Sequence, residues 1–282
     1  MQNQEVYEEL VSKFEKMYGE KPQVVAYAPG RIEVLGNHTD YNEGYVFSAA
    51  IDKGTFFAVS PTADATCELT AGDFMETAKF TTSTVAPAKE MTWQNYVTGT
   101  FNWLFDGNPA SAPHGWKAMF LGNIPLGAGL SSSAALEMCT ALALCKLYGI
   151  EKDRTTLAKI GQKAEHTFAG CPCGLLDQAS SMYGKAGALV KSDFRTNEFE
   201  TVEMGPSVRA ARRARTPPST SRACCARRSR TCATSRWPSG SSTAAGWARR
   251  RRSARCTRSA RTSASSRARR SSRRATSRAS AR

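Results

Sequence analysis

Three short stretches of the chain hold residues whose types and spacing could do chemistry. The densest is Pro125–Ala135, PLGAGLSSSAA, a glycine-rich turn and three serines opening directly onto an apolar run. Glycines let a backbone approach a ligand closely. The first N–H groups of a helix have no internal partner, and the helix dipole favours an anion beside them. Phosphate binding suits this pattern. An ordinary turn with a serine N-cap competes with it, although three serines after Gly127-Ala128-Gly129 exceed what a cap needs. Two familiar phosphate motifs do not fit. The P-loop needs a Lys-Ser/Thr pair after its last glycine, where Leu130-Ser131 stands, and the dinucleotide fingerprint needs a third glycine where Ser132 stands. A nucleotide held here is held by backbone and hydroxyls, without the usual lysine.

The second stretch is Gly36–Gly44, GNHTDYNEG. Asn37, His38, Thr39 and Asp40 can present donors and acceptors in one direction. That suits a polyhydroxylated ligand such as a sugar, whose hydroxyls partner buried polar groups. A solvated turn with an Asx motif is the commoner fate of such a loop. Arg31, just upstream, would on its own more often be a surface ion pair than a catalytic group. The third stretch, AEHTFAGCPCGLLDQ at 164–178, places Glu165 and Asp177 on either side of a constrained Gly-Cys-Pro-Cys-Gly loop. Each carboxylate has a plain alternative: Glu165 as a solvated helix residue, and Asp177 as a first-turn acid favoured by the dipole whatever its job.

The elements that must position these residues follow from periodicity and turn chemistry. Trp116–Ile124 reads as a buried strand leading into the glycine turn. Ala134–Leu147 reads as a helix apolar on nearly every face and therefore buried. Glu5–Tyr18 is an amphipathic helix stopped by Gly19. Val24–Ala28 and Ile32–Leu35 are short strands around a turn at Ala28-Pro29-Gly30-Arg31. Tyr45–Ile51 and Thr55–Ser60 are strands joined by a hairpin at Asp52-Lys53-Gly54. Residues 63–84 alternate and carry Gly72-Asp73, which predicts a further hairpin. Trp93–Phe105 is an aromatic-rich helix. Core packing is the simplest use of its rings, but Trp93, near the helix start, could wall a purine pocket. Helices over Arg154–Thr167 and Leu175–Tyr183, and two strands around Arg195-Thr196-Asn197, complete the pattern.

The net charge of +15 averages two unlike parts. Of 39 basic residues, 23 are arginines in 206–282, which leaves 16 in residues 1–205 against all 24 acidic ones, a net of −8. The segment 206–282 uses only Ala, Arg, Ser, Thr, Pro, Cys, Gly, Trp and one Val, which cannot build a core that offsets chain entropy, so disorder is expected. A basic arm can bind nucleic acid by counterion release, and a Ser/Arg-rich segment can be a low-complexity interaction tail. The preferred reading is a frameshifted read of a GC-rich gene: the residue types are largely those of GC-rich codons, no repeat is found, and composition changes abruptly near Gly205. No functional nucleic-acid binding is expected of it. Residues 1–205 suit one compact domain. No apolar run reaches the roughly 20 residues needed to cross a bilayer, and the acidic, amphipathic N-terminus is unlike a signal peptide. Cys67, Cys139, Cys145, Cys171 and Cys173 suggest neither a disulfide framework nor a zinc site. A monomer of the reducing cytoplasm is expected.

In order and spacing, APGRIEVLGNHTDYNEG (28–44), PLGAGLSSSAALE (125–137) and AEHTFAGCPCGLLDQ (164–178) resemble the galactokinases of the GHMP small-molecule kinase superfamily, over essentially all of residues 20–205. The first and third resemble the galactokinase branch; the second is general to the superfamily. The resemblance implies an α+β fold, the GHMP kinase N-terminal domain (ribosomal protein S5 domain 2-like). It also implies transfer of phosphate from ATP to galactose, giving galactose 1-phosphate for Leloir-type galactose metabolism. It assigns Asp177 as the base facing the anomeric hydroxyl, and Arg31 to the charge of the transferring phosphoryl group. Gly127, Ala128, Gly129, Leu130, Ser131, Ser132 and Ser133 become the phosphate loop, and Trp93 a nucleotide-pocket residue. Ser133 and Glu165 fall to Mg²⁺, and Asn37, His38, Asp40 and Gly174 to the sugar.

Elementary chemistry agrees: phosphoryl transfer needs alignment and charge compensation more than covalent help, and Mg²⁺ beside ATP phosphates needs few protein oxygens. Two departures stand out. The family's usual Gly-Glu-His-Thr-Asp-Tyr reads here Gly36-Asn37-His38-Thr39-Asp40-Tyr41, which loses a charge-assisted bond to the sugar. The family also continues far beyond this point with a third glycine-rich motif and a sugar-contacting tyrosine, and 206–282 holds neither. Weak or absent turnover by this chain is therefore expected. A non-catalytic galactose- and ATP-binding sensor, or a kinase for a related sugar, are the alternatives.

Overall fold

The computed structural model describes residues 2–89 and 93–205; the disorder expected of 206–282 lies outside the described residues. In chain order the elements are α1 (Asn3–Tyr18), β1 (Val24–Leu35), β2 (Tyr45–Pro61), β3 (Thr66–Ala71), β4 (Glu76–Thr81), α2 (Gln94–Leu104), β5 (Trp116–Gly122), α3 (Ser132–Tyr148), α4 (Arg154–Thr167), α5 (Leu176–Tyr183), β6 (Ala188–Asp193) and β7 (Glu198–Glu203). Strands and helices interleave in one α+β unit. Among the described residues no helix is long and apolar enough to cross a membrane.

The seven strands form one sheet in the order β4-β3-β5-β2-β6-β7, with β1 paired to β2 off that path. All pairs are antiparallel except β3 with β5. β2 is the spine. β1 runs along one edge, while β5 takes Thr55–Pro61 and β6 takes Tyr45–Ser48 of the other. Alternation along β2 and β5 separates two apolar faces. Ala58, Met119 and Leu121 pack under α1 with Val6, Leu10 and Phe14. Phe57, Val59, Ala118 and Phe120 face the larger core, which contains apolar side chains of α2, α3, α4 and α5. α3 lies across β1 and β2 at its centre. This explains why it is apolar nearly all round: Ala134, Ala135, Met138, Cys139, Ala141, Ala143 and Leu144 are fully buried.

Two turns expected from the sequence are not turns. β1 runs unbroken through Ala28–Arg31, and β2 runs unbroken through Asp52–Gly54. Pro29 pairs with Gly54 and Arg31 with Ala50, so Gly30 alone stands opposite Ile51, Asp52 and Lys53. Three residues against one is a bulge, which bends the strand pair without reversing it. Pro, Gly and Asp-Lys-Gly mark that bend rather than two reversals.

Candidate active site

The bend in β1 delivers Arg31. Its backbone N–H donates to Leu130 O at 3.1 Å, which ties the strand to the glycine loop. Gly30 cannot carry a side chain, because a Cβ would lie 2.6 Å from Leu130 O. The Arg31 guanidinium then bridges two motifs. Nε donates to Asp177 Oδ1 at 2.8 Å, Nη2 lies 2.5 Å from the same oxygen, and Nη1 donates to Gly129 O at 2.8 Å. Asp177 sits in the first turn of α5, where the helix dipole favours a negative charge. Its other oxygen, Oδ2, accepts from Ser131 Oγ at 2.6 Å. The carboxylate is thus fixed from both sides. α5 is in turn held to β1 by Ser181 Oγ, which donates to Pro29 O at 2.8 Å.

The loop itself alternates into the left-handed region, with φ of +69° at Gly127, +69° at Gly129 and +56° at Ser131. Nothing crowds either glycine, so conformation and not space requires them there. Successive N–H groups in such a sequence make an anion-binding concavity. Ser131 is a residue of ordinary shape in a strained conformation, a cost of order 1–3 kcal/mol that the surroundings must offset. It stands at the N-cap of α3 but makes no side-chain cap bond; its hydroxyl goes to Asp177 instead. No cap side chain therefore competes for the first N–H groups of α3. Arg31, Asp177 and Gly127–Ser133 line one hollow. All seven residues assigned to phosphate meet the proposed base and arginine there.

Ser133 and Glu165 also come together: Ser133 Oγ lies 3.4 Å from Glu165 Oε1. Glu165 Oε2 accepts from Gln178 Nε2 at 2.9 Å and from the Cys173 thiol at 3.3 Å. The same Gln178 nitrogen donates to Glu137 Oε2 at 2.9 Å. Burial pushes the Glu165 carboxyl above the ordinary carboxylate range, and the charge of Asp177 adds to this. Burial pushes Glu137, which is fully enclosed, well above that range, and the neighbouring Glu165 charge adds to it. Burial and the Glu165 charge also push the Cys173 thiol up. Among the described residues, no three acidic, histidine or cysteine side chains converge into a cage that could hold a metal by themselves. Ser133 lines the hollow and Glu165 lies buried behind it; a hydroxyl and a carboxylate are hard oxygen donors of the kind Mg²⁺ takes when phosphates and water complete its shell. Ser133 and Glu165 fit that ion.

The sugar candidates form a separate group. His38 is exposed at φ +61°, its Nδ1 lies 2.6 Å from the Tyr41 hydroxyl, and its carbonyl accepts from Asn42 Nδ2 at 2.8 Å. Thr39 Oγ1 closes the loop with bonds to Gly36 O and Tyr45 O at 2.8 and 2.9 Å. Asn37 is exposed. Asp40 packs against Gly174 so closely that a Cβ at 174 would overlap its carboxylate. That contact joins the first motif to the third. Trp93 is not among the residues lining the hollow; its indole donates to Glu76 Oε2 at 3.1 Å and its ring packs on Phe120.

Sequence reasoning missed three features. Ser131 is a support of Asp177 as well as a loop residue. Glu137 is a buried acid, signalled only by a charge inside an otherwise apolar helix. Gln178, next to Asp177, carried no signal beyond its place in the motif.

Comparison with known proteins finds two family models along the chain: a galactokinase galactose-binding signature over residues 12–61 and the GHMP kinases N terminal domain over residues 95–185. A galactokinase of Staphylococcus saprophyticus is 36% identical over 197 residues, covering 69% of this chain and 51% of that protein. One from Lactobacillus helveticus is 36% identical over 200 residues, covering 68% and 50%. The chain spans about half the length of the curated relatives it matches. Among solved structures, Lactococcus lactis galactokinase complexed with galactose superimposes with a TM-score of 0.64 at 32% identity, over 69% of this chain and 51% of that one. Methanococcus jannaschii mevalonate kinase, at 19% identity and a TM-score of 0.53 over 64% of this chain and 56% of that one, shares the fold.

Proposed function

We propose that this chain, which carries the galactokinase galactose-binding signature and the GHMP kinases N terminal domain, is a kinase of the galactokinase type: it binds ATP and galactose and transfers the γ-phosphoryl group to the C1 hydroxyl of the sugar. The observation that carries the reading is the Asp177 carboxylate, held by Arg31 and Ser131 at the rim of the left-handed glycine loop. The Asp177 carboxylate accepts the C1 hydroxyl proton as that oxygen attacks phosphorus. The O–P bond forms, the bond from phosphorus to the β,γ-bridging oxygen breaks, and the electron pair leaves on ADP. Arg31 contributes twice. Its guanidinium orients Asp177, and its charge lies beside the loop where the phosphoryl group gains negative charge. The loop N–H groups and the α3 N-terminus bind the phosphates. Ser133 and Glu165 would hold Mg²⁺, which when bound neutralises phosphate charge. His38, Asp40 and the backbone at Gly174 face the sugar.

Turnover by this chain is expected to be weak, since 206–282 supplies neither the third glycine-rich motif nor the tyrosine. The test is galactose 1-phosphate formation by the full chain, beside Asp177→Asn. Loss of a positioned base costs about 100-fold or more, while galactose affinity measured by calorimetry stays within about threefold. Undiminished turnover in Asp177→Asn would remove Asp177 as the base. Asn37, in place of a glutamate, favours a second reading as a kinase for a related sugar; a non-catalytic sensor is the remaining alternative, against which the presence of both Arg31 and Asp177 speaks. Binding of both ligands without product selects the sensor, and product from another hexose selects the related kinase.

A further inference from the structure

We propose that Gln178 is a positioning residue that aims one oxygen of Glu165 at the magnesium ion of bound MgATP. The inference rests on the kinase reading above and extends it to a residue that never touches the ligand. Gln178 is fully buried, and its one amide nitrogen spends both N–H groups on carboxylates, 2.9 Å from Glu165 Oε2 and 2.9 Å from Glu137 Oε2. Turned over, the amide would point its carbonyl at the Glu165 carboxylate, an acceptor that also takes the Cys173 thiol, so the orientation with the nitrogen toward Glu165 is favoured. Cys173 adds a second bond, at 3.3 Å, to the same Glu165 oxygen.

Glu165 Oε2 is therefore tied back into the core, and Oε1 is the oxygen turned toward Ser133 Oγ, 3.4 Å away. A glutamate has several free rotors. Left unanchored, it would have to be ordered when the cation arrives, at a cost in side-chain entropy. Gln178 meets that cost at folding. The arrangement is not built for stability alone: Gln178 Oε1 and Glu137 Oε1 are buried without a hydrogen-bond partner, and each orphan of that kind costs about 1–3 kcal/mol. Partners that orient a metal-binding carboxylate commonly change metal affinity by about 10–100-fold when removed.

The experiment uses the full chain and compares its affinity for MnATP with its affinity for metal-free ATP, by calorimetry, with Mn²⁺ binding followed by electron paramagnetic resonance. Gln178→Met keeps the volume of the side chain and removes both donors. The preference for MnATP over ATP falls about tenfold or more, while affinity for metal-free ATP is unchanged. Damage to the fold would lower both affinities together and leave their ratio alone. If Gln178→Met fails to fold, Gln178→Asn serves, because it keeps an amide but withdraws it by one methylene; the same fall in ratio is expected. An unchanged ratio in either folded variant, or no preference for MnATP in the unmodified chain, overturns the proposal and leaves the kinase reading standing. No ATP binding at all by the unmodified chain overturns both.

Discussion

Replacing Glu137 by glutamine isolates the electrostatics of the buried cluster. Unfolded, the Glu137 carboxyl titrates at its ordinary value of about 4.5; folded, burial first and the Glu165 charge second hold it well above that. Below the unfolded value both states carry the proton, and stability does not depend on it. Above that value the folded chain keeps a proton that the unfolded chain has released. Stability then falls as pH rises, by about 1.4 kcal/mol per pH unit, until the folded group itself titrates. Glu137→Gln cannot titrate and loses that slope. Its amide oxygen can still accept from Gln178, but its NH₂ takes the place of Oε1, which has no partner. The protonated parent carries an O–H at that same unpartnered place, so the variant adds one further N–H there, an offset of about 1–3 kcal/mol that does not itself change with pH. The offset between the two proteins is therefore no test, whereas the change of the offset with pH is. Urea unfolding of both at pH 5, 6 and 7, at one ionic strength, should show the variant gaining on the parent by about 1.4 kcal/mol for each unit within the window. Parallel pH profiles would refute the assignment of the bound proton to Glu137.

Ser131→Ala removes a hydrogen bond to the half-buried Asp177 carboxylate while keeping the same backbone strain. It should cost about 1.5 kcal/mol in urea unfolding and slow phosphoryl transfer, and an unchanged rate would confine Ser131 to the loop. Gly174→Ala sets a methyl group into the Asp40 carboxylate. A loss of about 1–3 kcal/mol in stability and weaker galactose binding by calorimetry are expected, and normal galactose affinity would show that Asp40 does not face the sugar. Asn37→Glu restores a charge-assisted bond and should tighten galactose binding by about tenfold, or about 1.4 kcal/mol. Titration with galactose and N-acetylgalactosamine checks this, and an unaltered profile makes the asparagine neutral.

What could be seen in the sequence was whatever depends on local pattern. The α3 helix shows itself because a run apolar on all faces has nowhere to go but the core. Gly19, Gly72-Asp73 and Arg195-Thr196-Asn197 mark real ends and turns because their chemistry acts within a few residues. The bend in β1 and β2 was not legible. Pro29-Gly30 and Asp52-Lys53-Gly54 are turn residues by composition, and only cross-strand pairing of three residues against one makes them a bulge. The site divides in the same way. Glycines, serines, Arg31, Glu165 and Asp177 stand in motifs whose residue types announce charge and phosphate. The bond from Ser131 to Asp177 spans 46 positions, and that between Gln178 and Glu137 spans 41. No periodicity carries such pairings; they exist only once α3, α4 and α5 are packed together.

That packing places two tasks on consecutive residues of one short helix. A helix turns about 100° per residue, so Asp177 and Gln178 leave α5 in different directions. Asp177 reaches Arg31 and Ser131 at the hollow, and Gln178 reaches Glu165 and Glu137 in the core. α5 is pinned to the strands at three points. Ser181 donates to Pro29 O, Ser180 Oγ lies 2.6 Å from Ser48 Oγ, and Gly184 sits so close to Ala50 that no side chain fits. Any shift of α5 would therefore carry the proposed base and the anchor of the proposed metal carboxylate together. The glycine loop is bound to the same frame, through the Arg31 backbone and side chain on one side and Ser131 on the other. On the proposed reading, the base, the phosphates and the cation ligand that phosphoryl transfer must hold in register are thus referred to a single helix and the bend of one strand pair. The bulge of β2 opposite Gly30 lies where strand, loop and helix meet: the Arg31 N–H donates to Leu130 O of the loop, and Pro29 O accepts from Ser181 of α5.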